Sequence, residues 1–84
     1  MRTEFFLEDV FRIPNKGCVV VGTVKSGTIY KGMKTNLNGK QAIVEEIMIF
    51  HKTLQMAKTG DYCGLLLKGI EESDISGPMT IYFE

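Results

Sequence analysis

Tryptophan is absent from this 84-residue chain, and proline, cysteine and histidine are scarce, with two Pro, two Cys and one His. Each scarcity excludes something. A single histidine, His51, leaves no His/Cys set with zinc-ligand spacing, and no Cys-x-x-Cys pair occurs. Cys18 and Cys63 are too few for a disulfide scaffold, and they read as reduced, buried thiols. The longest apolar runs, Cys18–Val21 and Ile47–Phe50, are four residues each. A membrane span needs about 20. The opening residues hold Glu4, Glu8 and Asp9 and lack a basic stretch followed by an apolar one, so no export signal is read. The expectation is a cytoplasmic chain with no metal, no cofactor and no membrane contact. An excess of either charge is missing too: ten Lys plus Arg stand against ten Asp plus Glu. That balance excludes a polybasic protein that coats nucleic acid by bulk charge.

What is present is the composition of a folded chain, 44% hydrophobic and 24% charged. At this length, residues 1–84 form one domain around one core. The texture is β. Glu4–Ile13 ends at the loop signal Pro14-Asn15-Lys16-Gly17. Cys18–Lys25 is β-branched and punctuated by Gly22, too short for a helix. Thr28–Lys31 and Lys34–Leu37 follow as short strands. Asn38-Gly39 is the strongest hairpin signal, because both central positions of a type I′ turn need positive φ. Gln41–Phe50 is then the longest apolar-rich strand. His51–Gly60 reads as an extended excursion, Asp61–Lys68 and Pro78–Phe83 as strands, and Gly69–Gly77 as the one place for a helical turn. Six to eight short strands joined by glycine-containing turns predict an all-β fold, a small closed antiparallel β-barrel. Closure also removes the exposed edges that so much Val and Ile would present.

Charge is unevenly distributed along the chain. Between Val10 and Val44 there is no acid, and Arg12, Lys16, Lys25, Lys31, Lys34 and Lys40 give +6. The remainder sets ten acids against Arg2, Lys52, Lys58 and Lys68, which leaves −6. Two readings stay open: lysines that keep turns solvated, and a basic face for phosphate.

Catalytic constellations fail one by one. A phosphate-cradling loop needs Gly five residues before its Gly-Lys pair and a hydroxyl after it. Gly39-Lys40 is preceded at that distance by Lys34 and followed by Gln41. Asn15-Lys16 begins like a guanine-reading Asn-Lys-x-Asp, but Cys18 holds the carboxylate position. Cys18 or Cys63 with His51 reads as two small apolar fillers and a loop histidine before it reads as a nucleophile pair. In Glu45-Glu46 a regular strand would turn the two carboxylates to opposite faces, a poor arrangement for acid/base work. No catalytic residue is expected.

The motifs do carry a resemblance. Phe6-Leu7-Glu8-Asp9-Val10-Phe11-Arg12-Ile13-Pro14 and Gly17–Ile29 resemble the opening of the second domain of elongation factor Tu and other translational GTPases. Phe50-His51-Lys52, Ala57-Lys58-Thr59-Gly60-Asp61, Gly64–Ile70 and Asp74-Ile75-Ser76-Gly77 continue it in order across nearly the whole chain. The resemblance implies the translation-factor β-barrel, here without the GTP-binding domain and third barrel that accompany it in the family, and so without nucleotide binding. It implies a pocket for the aminoacylated 3′ end of tRNA in which Ile13, Val19 and Leu66 keep the family's apolar type and Gly64 lets a backbone approach. The polar members differ. A Glu of the family falls on Met48, an Arg on His51 and an Asn on Tyr62. Arg12 and Lys16 flank the first loop, where the family meets the ribosome, and are the candidate phosphate contacts. The expected function is therefore a non-catalytic binding module with tRNA or ribosomal RNA as partner. The alternative is a protein-interaction or regulatory module, self-associating or held in a larger assembly, through flanks that other domains would cover.

Overall fold

A computed structural model describes residues 2–84. The β-branched and aromatic stretches form nine strands: β1 Thr3–Ile13, β2 Gly17–Ser26, β3 Thr28–Tyr30, β4 Lys34–Leu37, β5 Lys40–Ile49, β6 Lys52–Leu54, β7 Met56–Lys58, β8 Tyr62–Lys68 and β9 Met79–Phe83. Six of them run in the order β4-β5-β8-β2-β1-β9, with every pair antiparallel. The barrel is brought nearly to closure where Lys34 and Glu84 exchange backbone hydrogen bonds of 2.8 and 2.9 Å. Six barrel strands agree with the expected six to eight, and the excursion 51–60 adds two strands of three residues. One of these, β6, extends β5, and the other, β7, pairs with β3 as a separate ribbon. The expected helical turn is the 3-10 turn Glu72–Asp74.

Alternation fills the interior. Phe5, Leu7, Val20, Val24, Ile29, Leu65, Leu67 and Phe83 are fully buried there, and the Phe5 and Phe83 rings meet edge to face at 6.2 Å. Burying one such side chain stabilises by roughly 1.5–3 kcal/mol. Three interruptions in register bend the sheet. Two lie in the β1–β2 ladder, between Glu4 and Phe5, where Lys25 of β2 is the extra residue, and after Leu7, where Glu8 is; the third lies between Val44 and Glu46, where Glu45 is. The third overturns the expectation for Glu45-Glu46. The bulge takes Glu45 out of the alternation, so both carboxylates lie outside the barrel. Glu45 Oε1 meets Lys68 Nζ at 3.8 Å, and Glu46 Oε2 meets Lys16 Nζ at 3.6 Å. The linear separation of charge is likewise undone in part by folding. Lys16 and Lys40, both from the acid-free stretch, pair with Glu46 and with Glu71 and Asp74.

Asp74 ties the 3-10 turn to the β4–β5 hairpin. Its carboxylate accepts from Asn38 Nδ2 at 2.9 Å, from the Glu71 backbone N–H at 2.8 Å and from Lys40 Nζ at 3.1 Å. Those donors, Asn38 foremost, then Glu71 and Lys40, lower its pKa from 3.8 to about 2. The stabilisation is therefore complete above 3.8 and is lost as pH falls through about 2. Asp74→Asn is expected to lower the melting temperature at neutral pH. Its deficit against the wild-type chain shrinks between pH 3.8 and about 2, read by thermal denaturation across that range.

Gly22 lies where β2 passes closest to β1, and a Cβ there would overlap the Phe6 carbonyl. Gly39 has φ 78° in its turn, with open space around it. Gly22→Ala is therefore expected to cost more than about 3 kcal/mol and Gly39→Ala about 1 kcal/mol, measured by urea unfolding.

Candidate functional site

Side chains that alternate out of the core lie in rows across the outer face. Phe11, Val19, Leu66 and Glu46 share one row across β1, β2, β8 and β5, and Asp9, Val21, Gly64 and Met48 share the next. Thr23 and Tyr62 pair beyond them. The Glu45 bulge is what brings Met48 outward opposite Gly64. A cleft of about 320 Å³ opens at this second row. Met48, Ile49, Phe50 and His51 line it from β5 and its turn, Tyr62, Cys63 and Gly64 from β8, and Val21 from β2. Its floor is left open because Gly64 has no side chain. A Cβ there would sit 3.5 Å from Val19 Cγ1 and 3.9 Å from Met48 Cε, so a methyl group would fit and fill the space.

The rim is built on an unusual turn. Ile49 and Lys52 are the last pair of the β5–β6 hairpin, which leaves Phe50 and His51 as a two-residue loop with φ of 50° and 66°. Positive φ at both positions is the requirement of a type I′ turn, and non-glycine side chains adopt it at a cost of about 1–2 kcal/mol each. At the other end of β5 the same kind of turn is made by Asn38-Gly39, whose residues suit it. Phe50 is held 90% exposed, and Tyr62, also on the cleft, is 57% exposed. Two aromatic side chains and an imidazole thus surround an apolar hollow.

Of the residues singled out from sequence, Met48, His51, Tyr62 and Gly64 come together in this cleft. Val19 and Leu66 do not line it. They are sealed in the adjoining row, while Ile13 lies half-buried at the end of β1. Arg12 is exposed at the first hairpin, and Lys16 is engaged with Glu46. The cleft adds Val21, Ile49, Phe50 and Cys63, which sequence reasoning did not single out as site residues. Phe50 stands next to His51 in a quoted motif, but nothing in residue type announces a bulky side chain in a left-handed turn. The buried Cys63 thiol is raised to about 11 by desolvation first and the Asp61 charge second. Burial likewise raises Cys18. Both are protonated at neutral pH, so neither is an activated nucleophile beside His51.

A larger groove, about 530 Å³, runs along the seam between β4 and β9. It is bordered by Arg2, Lys34, Asn36, Gln41, Thr80 and Tyr82, with the Arg2 guanidinium 4.6 Å from the Tyr82 ring centroid. None of the candidate residues borders it. The smaller cleft is the better site, because aromatic and apolar groups converge there around a floor left open by glycine.

The strain at the rim has a measurable consequence. Phe50→Asn combined with His51→Gly is expected to raise unfolding free energy by about 1–2 kcal/mol in urea titrations.

The sequence model of the elongation factor Tu domain 2 family matches residues 17–82. Among solved structures, translation elongation factor SelB from Methanococcus maripaludis, in its apo form, is similar with a TM-score of 0.86 at 24% identity. That likeness covers 100% of this chain and 19% of SelB, so the chain spans less than a fifth of the length of that factor. At such identity the match shows the fold. With the antiparallel barrel and a family match spanning β2 through most of β9, the chain belongs to the elongation factor Tu domain 2 family.

Proposed function

We propose that this barrel is a non-catalytic, cytoplasmic binding module that takes an unpaired RNA end in the β2–β8–β5 cleft. The observation that carries this reading is Phe50, held out beside Tyr62 by a turn its residue type disfavours. Strain of that kind persists where surrounding structure imposes it, and it clusters at binding sites. An exposed aromatic pair at an apolar hollow suits an unstacked base, which gains about 1–3 kcal/mol from each aromatic face. Met48 supplies a polarizable wall in place of a carboxylate. Arg12 and Lys16 at the neighbouring hairpin supply the phosphate contacts. Membership of a translation-factor family makes tRNA or ribosomal RNA the natural partner class.

A protein partner is the second reading, favoured by one observation: among the described residues, no Lys or Arg lines the cleft itself. The two readings differ in salt dependence. RNA affinity should fall with salt with a slope of about −0.7 per phosphate neutralised. A protein bound through apolar contacts is far less sensitive.

The test is fluorescence anisotropy with a short single-stranded oligoribonucleotide carrying an unpaired 3′ end. Phe50→Ala and Tyr62→Ala are each expected to weaken binding by about 1–3 kcal/mol. Gly64→Ala, which fills the floor, should weaken it while preserving the melting temperature. Arg12→Glu with Lys16→Glu should flatten the salt slope by about 1.4. No binding by the wild-type chain at low salt would sink the RNA reading.

A further inference from the structure

The outer face holds apolar surface that the cleft does not use. Val19 and Leu66 are 2% and 1% exposed, although both lie outside the cluster that fills the barrel. Val19 adjoins the cleft directly, since the vacant Cβ position of Gly64 is 3.5 Å from its Cγ1. Leu66 lies against the first hairpin, with the Cβ position of Gly17 3.3 Å from its Cδ1. The hairpin is drawn over β8 by two lysine contacts. Lys16 Nζ meets Glu46 Oε2 at 3.6 Å, and Glu46 is the β5 neighbour of Leu66. Lys68 Nζ donates to the Lys16 carbonyl at 2.5 Å. A bridge from the loop to β5 therefore spans the row that holds Leu66.

Resting on the RNA reading above, we infer that the Lys16–Glu46 pair is a strap that the phosphate of the bound nucleotide undoes. Lys16 exchanges the Glu46 carboxylate for phosphate, its side chain swings off the row that holds Leu66 while the Lys68 contact and the β2–β8 ladder keep the hairpin backbone in place, and the cleft lengthens towards Val19. The exchange is physically easy in this direction. The contact is long, with Lys16 53% and Glu46 27% exposed, and such surface pairs contribute little. A lysine–phosphate contact is charge-assisted and releases counterions from the RNA. Glu46 also gives the site a selectivity. A ligand without an anionic group near the ring leaves the strap shut and meets only the short cleft.

Glu46→Gln tests this. It frees Lys16 without changing side-chain size, and it is expected to tighten binding of the same single-stranded oligoribonucleotide by about threefold to fivefold. The Leu66 methyl resonances of the unliganded variant should become more susceptible to a soluble paramagnetic relaxation agent than in the wild-type chain. Lys16→Gln should expose the same methyls yet weaken binding and lower the salt slope by about 0.7. If wild-type binding is intact while Glu46→Gln changes neither affinity nor methyl accessibility, the strap is overturned. If the wild-type chain binds no RNA, what falls is the reading beneath it.

Discussion

A single extra residue in β5 determines what the outer face of this barrel presents. Strand alternation would place Glu45 and Glu46 on opposite faces and, continued, would drive one of them into the core. The bulge at Glu45 removes that residue from the count, so Val44 and Ile47 both point inward with two carboxylates between them on the outside. The same reset brings Met48 out beside Gly64 and sets Glu46 beside Leu66. The β5 wall at Met48 and the flanking Glu46 charge both follow from this one register shift, while the Gly64 floor belongs to β8. A strand without it would bury a glutamate and turn Met48 inwards.

The two ends of β5 show how stability and exposure are balanced. Asn38-Gly39 makes its turn with residues suited to positive φ, and the Asp74 clamp fastens that end through Asn38 and Lys40. Phe50-His51 makes a comparable turn with residues that are not suited to it, and Phe50 projects into solvent. The buried core of Phe5, Leu7, Leu65 and Phe83 supplies the stability from which that strain is drawn.

Much of the barrel was legible in the sequence, because β-branched runs such as Cys18–Lys25 and the Asn38-Gly39 turn are local signals. The 3-10 turn was legible for the same reason, in a glycine-bounded acidic stretch. The bulges were not legible, because an extra residue is a relation between two strands and leaves no mark on one. The short strands β6 and β7 were hidden within a polar stretch. The charge pattern left two readings open, and only folding shows pairs such as Lys16 with Glu46, which join residues far apart in sequence. In the cleft, Met48, His51, Tyr62 and Gly64 were reached through family resemblance, whereas Phe50 needed its dihedral angles to be known. Val19 and Leu66 carry the right residue types, but only register shows them sealed behind the adjoining row.

The proposed RNA end enters the outer face at the β2–β8–β5 cleft and not the larger seam between β4 and β9. The most direct measurement is heteronuclear shift mapping during titration with single-stranded RNA. The largest perturbations are expected at Met48, Phe50, Tyr62 and Gly64, with Arg2, Asn36 and Tyr82 unmoved. Perturbations concentrated at the seam, or none anywhere, would contradict it.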